Sequence, residues 1–180
     1  MEILYGRPDD CAGRAPEERA VYDLLDRLGV EYGRIDHEAV MTMEACEEIE
    51  RVLDVAVCKN LFLCNRQKTE YYLLLMPGDK SFHAKELSAQ TGCARLSFAK
   101  ADAMESCLHI KPGAVSVLGL MNDSENRVRL IIDRAIVNSD FIGCHPCVNT
   151  SSLKLRTVDL LERILPAVHH DYAVVDLPAE

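Results

Sequence analysis

One short run, Val55-Ala56-Val57-Cys58-Lys59-Asn60-Leu61-Phe62-Leu63-Cys64, constrains this chain more than any other stretch. It is apolar nearly throughout, rich in β-branched and aromatic side chains, and closed by the polar cluster Asn65-Arg66-Gln67-Lys68. Those features predict a buried strand rather than a helix. Period-two alternation sets Lys59 on one face with Val57 and Leu61, and Asn60 on the other with Cys58 and Phe62. An ammonium in such a strand needs a reason, because burying one unpaired is costly. A sheet edge or a stem that snorkels to water would supply one. The functional alternative is a fixed cation that meets an anion in a pocket.

Around this strand the chain reads as alternating helices and strands. Residues 1–15 form a leader, part strand. Pro16 opens a helix with Val21, Leu24, Leu25 and Leu28 at helical spacing, and Gly29 stops it. Residues 30–35 alternate like a strand, and Thr42 caps a helix carrying Met43, Cys46 and Ile49. The polar turn from Asn65 to Glu70 returns into Tyr71–Met76, so residues 55–76 form a hairpin ended by Pro77-Gly78. A helix follows over Phe82–Thr91, then a short strand at Leu96-Ser97-Phe98 and a short helix over Asp102–Leu108. Ala114–Met121 reads as a second buried strand, with Asn122–Asn126 as turn chemistry and Arg127–Asp133 as its hairpin partner. Phe141–Ser152 reads as a shaped loop. A last helix, with Val158, Leu160, Leu161, Ile164 and Leu165, ends at Pro166. The expected class is α+β, one domain over residues 1–180 with a mixed sheet flanked by helices, a core of about 17–165 and a C-terminal extension at 166–180.

At 180 residues with 48% hydrophobic content, the chain can bury a real core. No apolar run reaches the roughly 18 residues of a membrane-spanning helix, and the first ten residues lack the basic-then-apolar order of a signal peptide. Eight cysteines, several inside apolar runs, read as reduced thiols of a cytoplasmic protein. The net charge of −9 argues against a broad nucleic-acid or membrane footprint but leaves room for a local basic site.

Several chemistries can be weighed on residue types alone. Cys144-His145-Pro146-Cys147 has the spacing of a redox pair or half a zinc site, but no second ligand pair matches it. Two incidental small thiols flanking a histidine is the blander reading. There is no Gly-x-Ser-x-Gly elbow and no Gly-rich phosphate cradle opening a helix. What remains is chemistry by an activated water or by the substrate's own groups.

Three segments together resemble the YbaK/prolyl-tRNA-synthetase editing-domain superfamily. They are Asp36-His37, Cys58-Lys59-Asn60-Leu61-Phe62-Leu63, and Gly143-Cys144-His145-Pro146-Cys147-Val148-Asn149-Thr150. Between them, Leu96-Ser97-Phe98-Ala99, Pro112-Gly113-Ala114-Val115-Ser116 and Leu120-Met121-Asn122-Asp123 match in order and spacing, so the likeness covers about residues 17–165. It implies a mixed, twisted, partly barrel-like sheet with flanking helices, and a deacylase that clears alanine mischarged on proline tRNA. The implied partners are the aminoacylated acceptor end of tRNA and prolyl-tRNA synthetase, with no membrane, and with monomer or homodimer left open.

Lys59 and His145, carried over from the resemblance, and Asn60, an amide that can orient the ester carbonyl, are the catalytic candidates. His37, Met41, Leu61, Gly113, Val115, Ser116, Gly143, Pro146, Asn149 and Thr150 are the substrate-binding candidates. His145 can position substrate, shuttle a proton or only brace its loop. The implied mechanism uses the ribose hydroxyl and an ordered water, with no cofactor, no metal and no covalent enzyme intermediate. The chain departs from the family where many relatives carry proline, at Val117. The alternatives are a non-catalytic module that holds tRNA or a synthetase, and a Cys-x-x-Cys redox or zinc protein. A second, smaller site suits the problem, because missing methylenes give a synthetase only about 1–3 kcal/mol with which to reject alanine.

Overall fold

The computed structural model describes residues 1–39 and 43–179. The expected helix cap Thr42 and the pocket candidate Met41 lie outside the described residues. Two β-sheets and the helices packed on them make an α+β fold. The sheets are separate layers and do not close into a barrel.

The first sheet is antiparallel, in the order β1-β2-β8-β7: β1 (Leu4–Tyr5), β2 (Tyr32–Asp36), β8 (Ser151–Arg156) and β7 (Phe141–Cys144). The second is mixed, in the order β5-β3-β4-β6-β9. It comprises β5 (Ser97–Phe98), β3 (Lys59–Cys64), β4 (Tyr71–Met76), β6 (Val128–Asp133) and β9 (Tyr172–Val175). The 59–76 hairpin forms as its alternation predicts, with Lys59 opposite Met76 and Cys64 opposite Tyr71. β6 then runs parallel to β4, and β9 parallel to β6. The C-terminal extension therefore supplies a sheet strand.

α1 (Pro16–Leu28) starts at its proline and stops at Gly29, which holds the left-handed conformation a helix end needs. Val21, Tyr22 and Leu25 of α1 enter the main core between the sheets, with Tyr32, Leu153 and Leu155 from the first and Phe62, Leu73, Leu75 and Leu130 from the second. α2 (Met43–Leu53) lays Ile49 and Leu53 on Ile35. α3 (Ala84–Thr91) covers the far side of the second sheet, where Leu87 meets Leu63, Leu74 and Val175. α4 (Ala101–Leu108) and α5 (Arg134–Val137) are short connectors. No helix among the described residues is long and apolar enough to cross a membrane.

Four expectations give way. Ala114–Met121 is not a strand: after an extended stretch, Val117–Asn122 winds into a 3₁₀ helix capped by Ser116 Oγ, which accepts from the Leu118 amide at 3.2 Å. Gly119 sits tightly against Ile110 there, and the segment is buried on all sides, so a continuous apolar run could not tell strand from helix. β6 accordingly has no hairpin partner in that segment and pairs with β4 instead. The loop expected at 141–152 is half strand, β7 and the start of β8 flanking a tight turn. The last helix does not end at Pro166. It runs through α6 (Thr157–Asp159), a π-helical turn (Leu160–Ile164) and α7 (Leu165–Ala167).

Candidate functional site

The two sheets are stitched together just before β3. Val57 forms a parallel bridge with Gly143, the Cys58 N–H donates to the Gly143 carbonyl at 3.0 Å, and the Gly143 N–H donates to Ala56 O at 3.3 Å. A Cβ at Gly143 would stand 3.1 Å from both Ala56 O and Val57 Cα. The glycine is what lets the two backbones approach. Lys59-Asn60 and His145 are thereby held on either side of one junction.

On the first sheet, the end of β2 lies beside the start of β8, and residues there orient two imidazoles. The His37 N–H donates to Thr150 O at 2.9 Å. His37 Nδ1 lies 2.7 Å from Glu38 O, so it carries the proton and donates. Nε2 lies 2.8 Å from the Ser152 hydroxyl. His145 Nδ1 likewise donates to the Ser151 carbonyl at 2.9 Å. The two rings meet edge-on with centroids 6.5 Å apart. Burial pushes the His145 pKa below its ordinary value, against the hydrogen bond to Ser151, and His37 lowers it further. His145 is therefore a neutral imidazole at pH 7, and its Nε2 lone pair has no hydrogen-bond partner among the described residues.

Beneath the imidazoles lies an ion cluster that residue types alone did not mark as part of the site. Arg14 grips Asp36 through two nitrogens at 3.0 Å, Arg34 pairs with the same carboxylate, and Ser151 Oγ donates to it at 2.6 Å. Burial raises the Asp36 pKa, but Arg14, Arg34 and Ser151 outweigh it and hold the carboxyl well below the usual range. The signal was the Arg34-x-Asp36 alternation, which puts both side chains on one strand face.

Lys59 reaches the turn after β4 and donates to the Lys80 carbonyl. Asn60 faces the other way, as alternation requires. Its Nδ2 donates to Cys58 O at 3.2 Å, while its Oδ1 is buried without a partner among the described residues. Leu61 returns to the Lys59 face and packs with Leu63 and Leu74.

Gly113, at φ +91°, occupies the third position of the turn Lys111-Pro112-Gly113-Ala114, and Asn149 Nδ2 lies 3.8 Å from where its Cβ would be. Val115 is half-buried against the main core, Ser116 is fully buried, Pro146 is buried, and Thr150 is exposed. The structure thus gathers His37, His145 and Thr150 at one strand end and joins Gly113 to Asn149 beside it. It puts Lys59 and Asn60 on opposite faces of β3.

Cys144 and Cys147 lie in the main core with Cys58. Burial pushes the Cys58 and Cys147 thiols up to about 12 and Cys144 higher still, so all three are protonated. A thiolate nucleophile is not on offer there. Among the described residues no three His, Cys, Asp or Glu side chains converge as a metal site.

This pairing of fold and site defines a class of protein. The aminoacyl-tRNA editing domain model matches residues 37–162, and the chain belongs to that family of aminoacyl-tRNA deacylases. It is 31% identical over 160 residues to the "Prolyl-tRNA editing protein ProX" of Acetoanaerobium sticklandii, covering 89% of this chain and 97% of the relative. It is also 31% identical over 150 residues to the "Prolyl-tRNA synthetase associated domain-containing protein 1" of Danio rerio, covering 82% and 80%. A crystal structure described as that of a candidate trans-editing enzyme for prolyl tRNA synthetase superposes with a TM-score of 0.67 at 14% identity, covering 92% of this chain and 99% of the other.

Proposed function

We propose that this protein hydrolyses the ester of alanine mischarged on proline tRNA, acting in trans beside prolyl-tRNA synthetase. The names of the two relatives support proline tRNA, and alanine is what the family resemblance implies. Lys59 holds the terminal phosphates, and the ribose hydroxyl and an ordered water carry out the attack. The loop of Gly113, Val115 and Ser116 and the turn of Pro146, Asn149 and Thr150 wall the aminoacyl group. No enzyme acyl intermediate forms.

The observation that carries this reading is the His145 imidazole. It is neutral, pinned at Nδ1, and presents an Nε2 unpaired among the described residues beside His37. An acceptor so fixed can take a proton from the attacking water or orient the ribose hydroxyl. Orientation of ester, hydroxyl and water then supplies much of the rate.

A deacylation panel tests it. Ala-, Ser- and Cys-charged proline tRNAs are incubated with the wild type, Lys59→Ala, His145→Ala and the Cys144→Ser/Cys147→Ser double variant. Alanine release by the wild type and the double variant is expected, with about 100-fold loss or more in the other two. Retained tRNA binding with no hydrolysis of any charged tRNA would make the protein a binding module instead.

A further inference from the structure

The second sheet carries a groove of about 880 Å³ at the far end of β3 from Lys59. Its lining includes Arg66, Lys68, Arg95, Lys100 and Arg127, all exposed, against a single carboxylate, Asp102. In a chain of net charge −9 this concentration is unlike the rest of the surface. Elsewhere Arg7, Arg14, Arg34, Lys80 and Arg134 are tied to carboxylates. The five groove cations form no ion pair among the described residues. Five unneutralised charges around one hollow repel one another unless an anion joins them.

The groove also holds rings. Phe98 is 63% exposed on its rim, and the Arg127 guanidinium lies over the Tyr71 ring at 5.6 Å and donates through NH1 to Ser106 Oγ at 3.4 Å. Cations that track a backbone, interleaved with an exposed aromatic, are the composition of a polynucleotide track. Position agrees as well. Cys64 lines the groove on the face that Asn60 shares, so a polynucleotide strand reaching Lys59 rounds the sheet edge; it lies five residues along β3 from Lys59, or about 17 Å at strand rise. That is about five nucleotides of a stacked strand.

We propose that this groove binds the phosphate backbone of the tRNA acceptor arm, a few nucleotides back from the charged end at Lys59. The inference deepens the editing reading and rests on it for the identity of the RNA. The groove supplies affinity that the chain's acidic balance otherwise withholds, and it takes no part in the hydrolysis.

The test compares Arg66→Gln/Arg95→Gln/Lys100→Gln with a control, Arg19→Gln/Lys85→Gln/Arg156→Gln, which removes three exposed cations outside the groove. Affinity for uncharged proline tRNA is measured across a salt series. KM and kcat are measured on charged tRNA, and hydrolysis is followed on the alanyl ester of adenosine, which is too short to reach the groove. The groove variant should bind tRNA roughly tenfold or more weakly, with a salt slope shallower by about three. KM on charged tRNA should rise with it, while kcat and hydrolysis of the short ester match the wild type. Equal affinity and slope in the two triple variants would overturn the proposal. Wild-type tRNA binding that depends on the groove, with no deacylation, would keep the groove and sink the editing reading.

Discussion

The Lys59 ammonium donates to the backbone carbonyl of Lys80, and no carboxylate among the described residues meets it. One of its three donors is spent on orientation and two are left for a ligand. The turn that orients it is anchored in its own right. The Lys80 ammonium meets Asp133 Oδ2 at 2.9 Å and the Leu177 carbonyl at 2.9 Å, tying the turn to β6 and to the C-terminal segment.

Asp133→Ala should therefore be costly. Asp133 is almost fully buried and Lys80 largely so, and Asp133 also caps α5 through the Ala135 amide. Removing one partner of a buried pair strands the other charge, at about 3–5 kcal/mol. Urea unfolding should show that loss, and deacylation should fall as the Lys80 turn loosens. A midpoint equal to the wild type would remove the anchor from the account.

His145 sets a pH dependence. Its folded pKa lies below the ordinary value of 6.5, chiefly through burial. Between 6.5 and the lower folded value the unfolded chain holds the extra proton, so stability rises with pH across that window and levels off above it. Urea midpoints of the wild type should drop as pH falls below about 6.5, and His145→Gln should flatten the drop. Parallel curves for the two proteins would mean the imidazole is not held neutral.

Val117→Pro should be tolerated and mildly stabilising. Val117 is the first residue of the 3₁₀ helix, where proline's fixed φ fits and no helical N–H bond is lost. Ser116 before it is extended, at φ −149° and ψ 144°, as a residue preceding proline must be. A gain of about 0.4–1 kcal/mol is expected from the stiffer unfolded chain. Differential scanning calorimetry reads it, and a lower melting temperature would refute it.

Asn60→Leu should separate stability from activity. The buried Oδ1 lacks a partner among the described residues, and leaving such an acceptor unsatisfied costs about 1–3 kcal/mol. An apolar side chain of similar size should leave the unfolding free energy within about 1 kcal/mol of the wild type or above it. Deacylation should fall about 100-fold if the oxygen serves the substrate. A stable variant with full activity would relieve Asn60 of any role in the reaction.

Much of this was legible in residue order. The Pro16 start and Gly29 stop of α1, the hairpin about Asn65–Glu70, and a lysine that interrupts an apolar strand all depend on neighbours along the chain. The Ala114–Met121 segment was not legible, because a run buried on every side carries no periodicity to separate strand from helix. Nor was the pairing of β6 with β4, which joins residues more than fifty positions apart. The Cys-His-Pro-Cys spacing was ambiguous until burial showed its thiols to be core.

Local sequence alone determined α1, the hairpin with the strand carrying Lys59, and the family to which the pattern points, since propensity, capping and alternation act over a few residues. Only the tertiary structure decided what surrounds those residues. It spent one Lys59 donor on a carbonyl and left His145 neutral with an open nitrogen. It left Asn60 an unpaired oxygen, and it drew five scattered cations into one groove. Hydrogen-bond partners, desolvation and the summed field of charges depend on distance through space, which residue order does not contain.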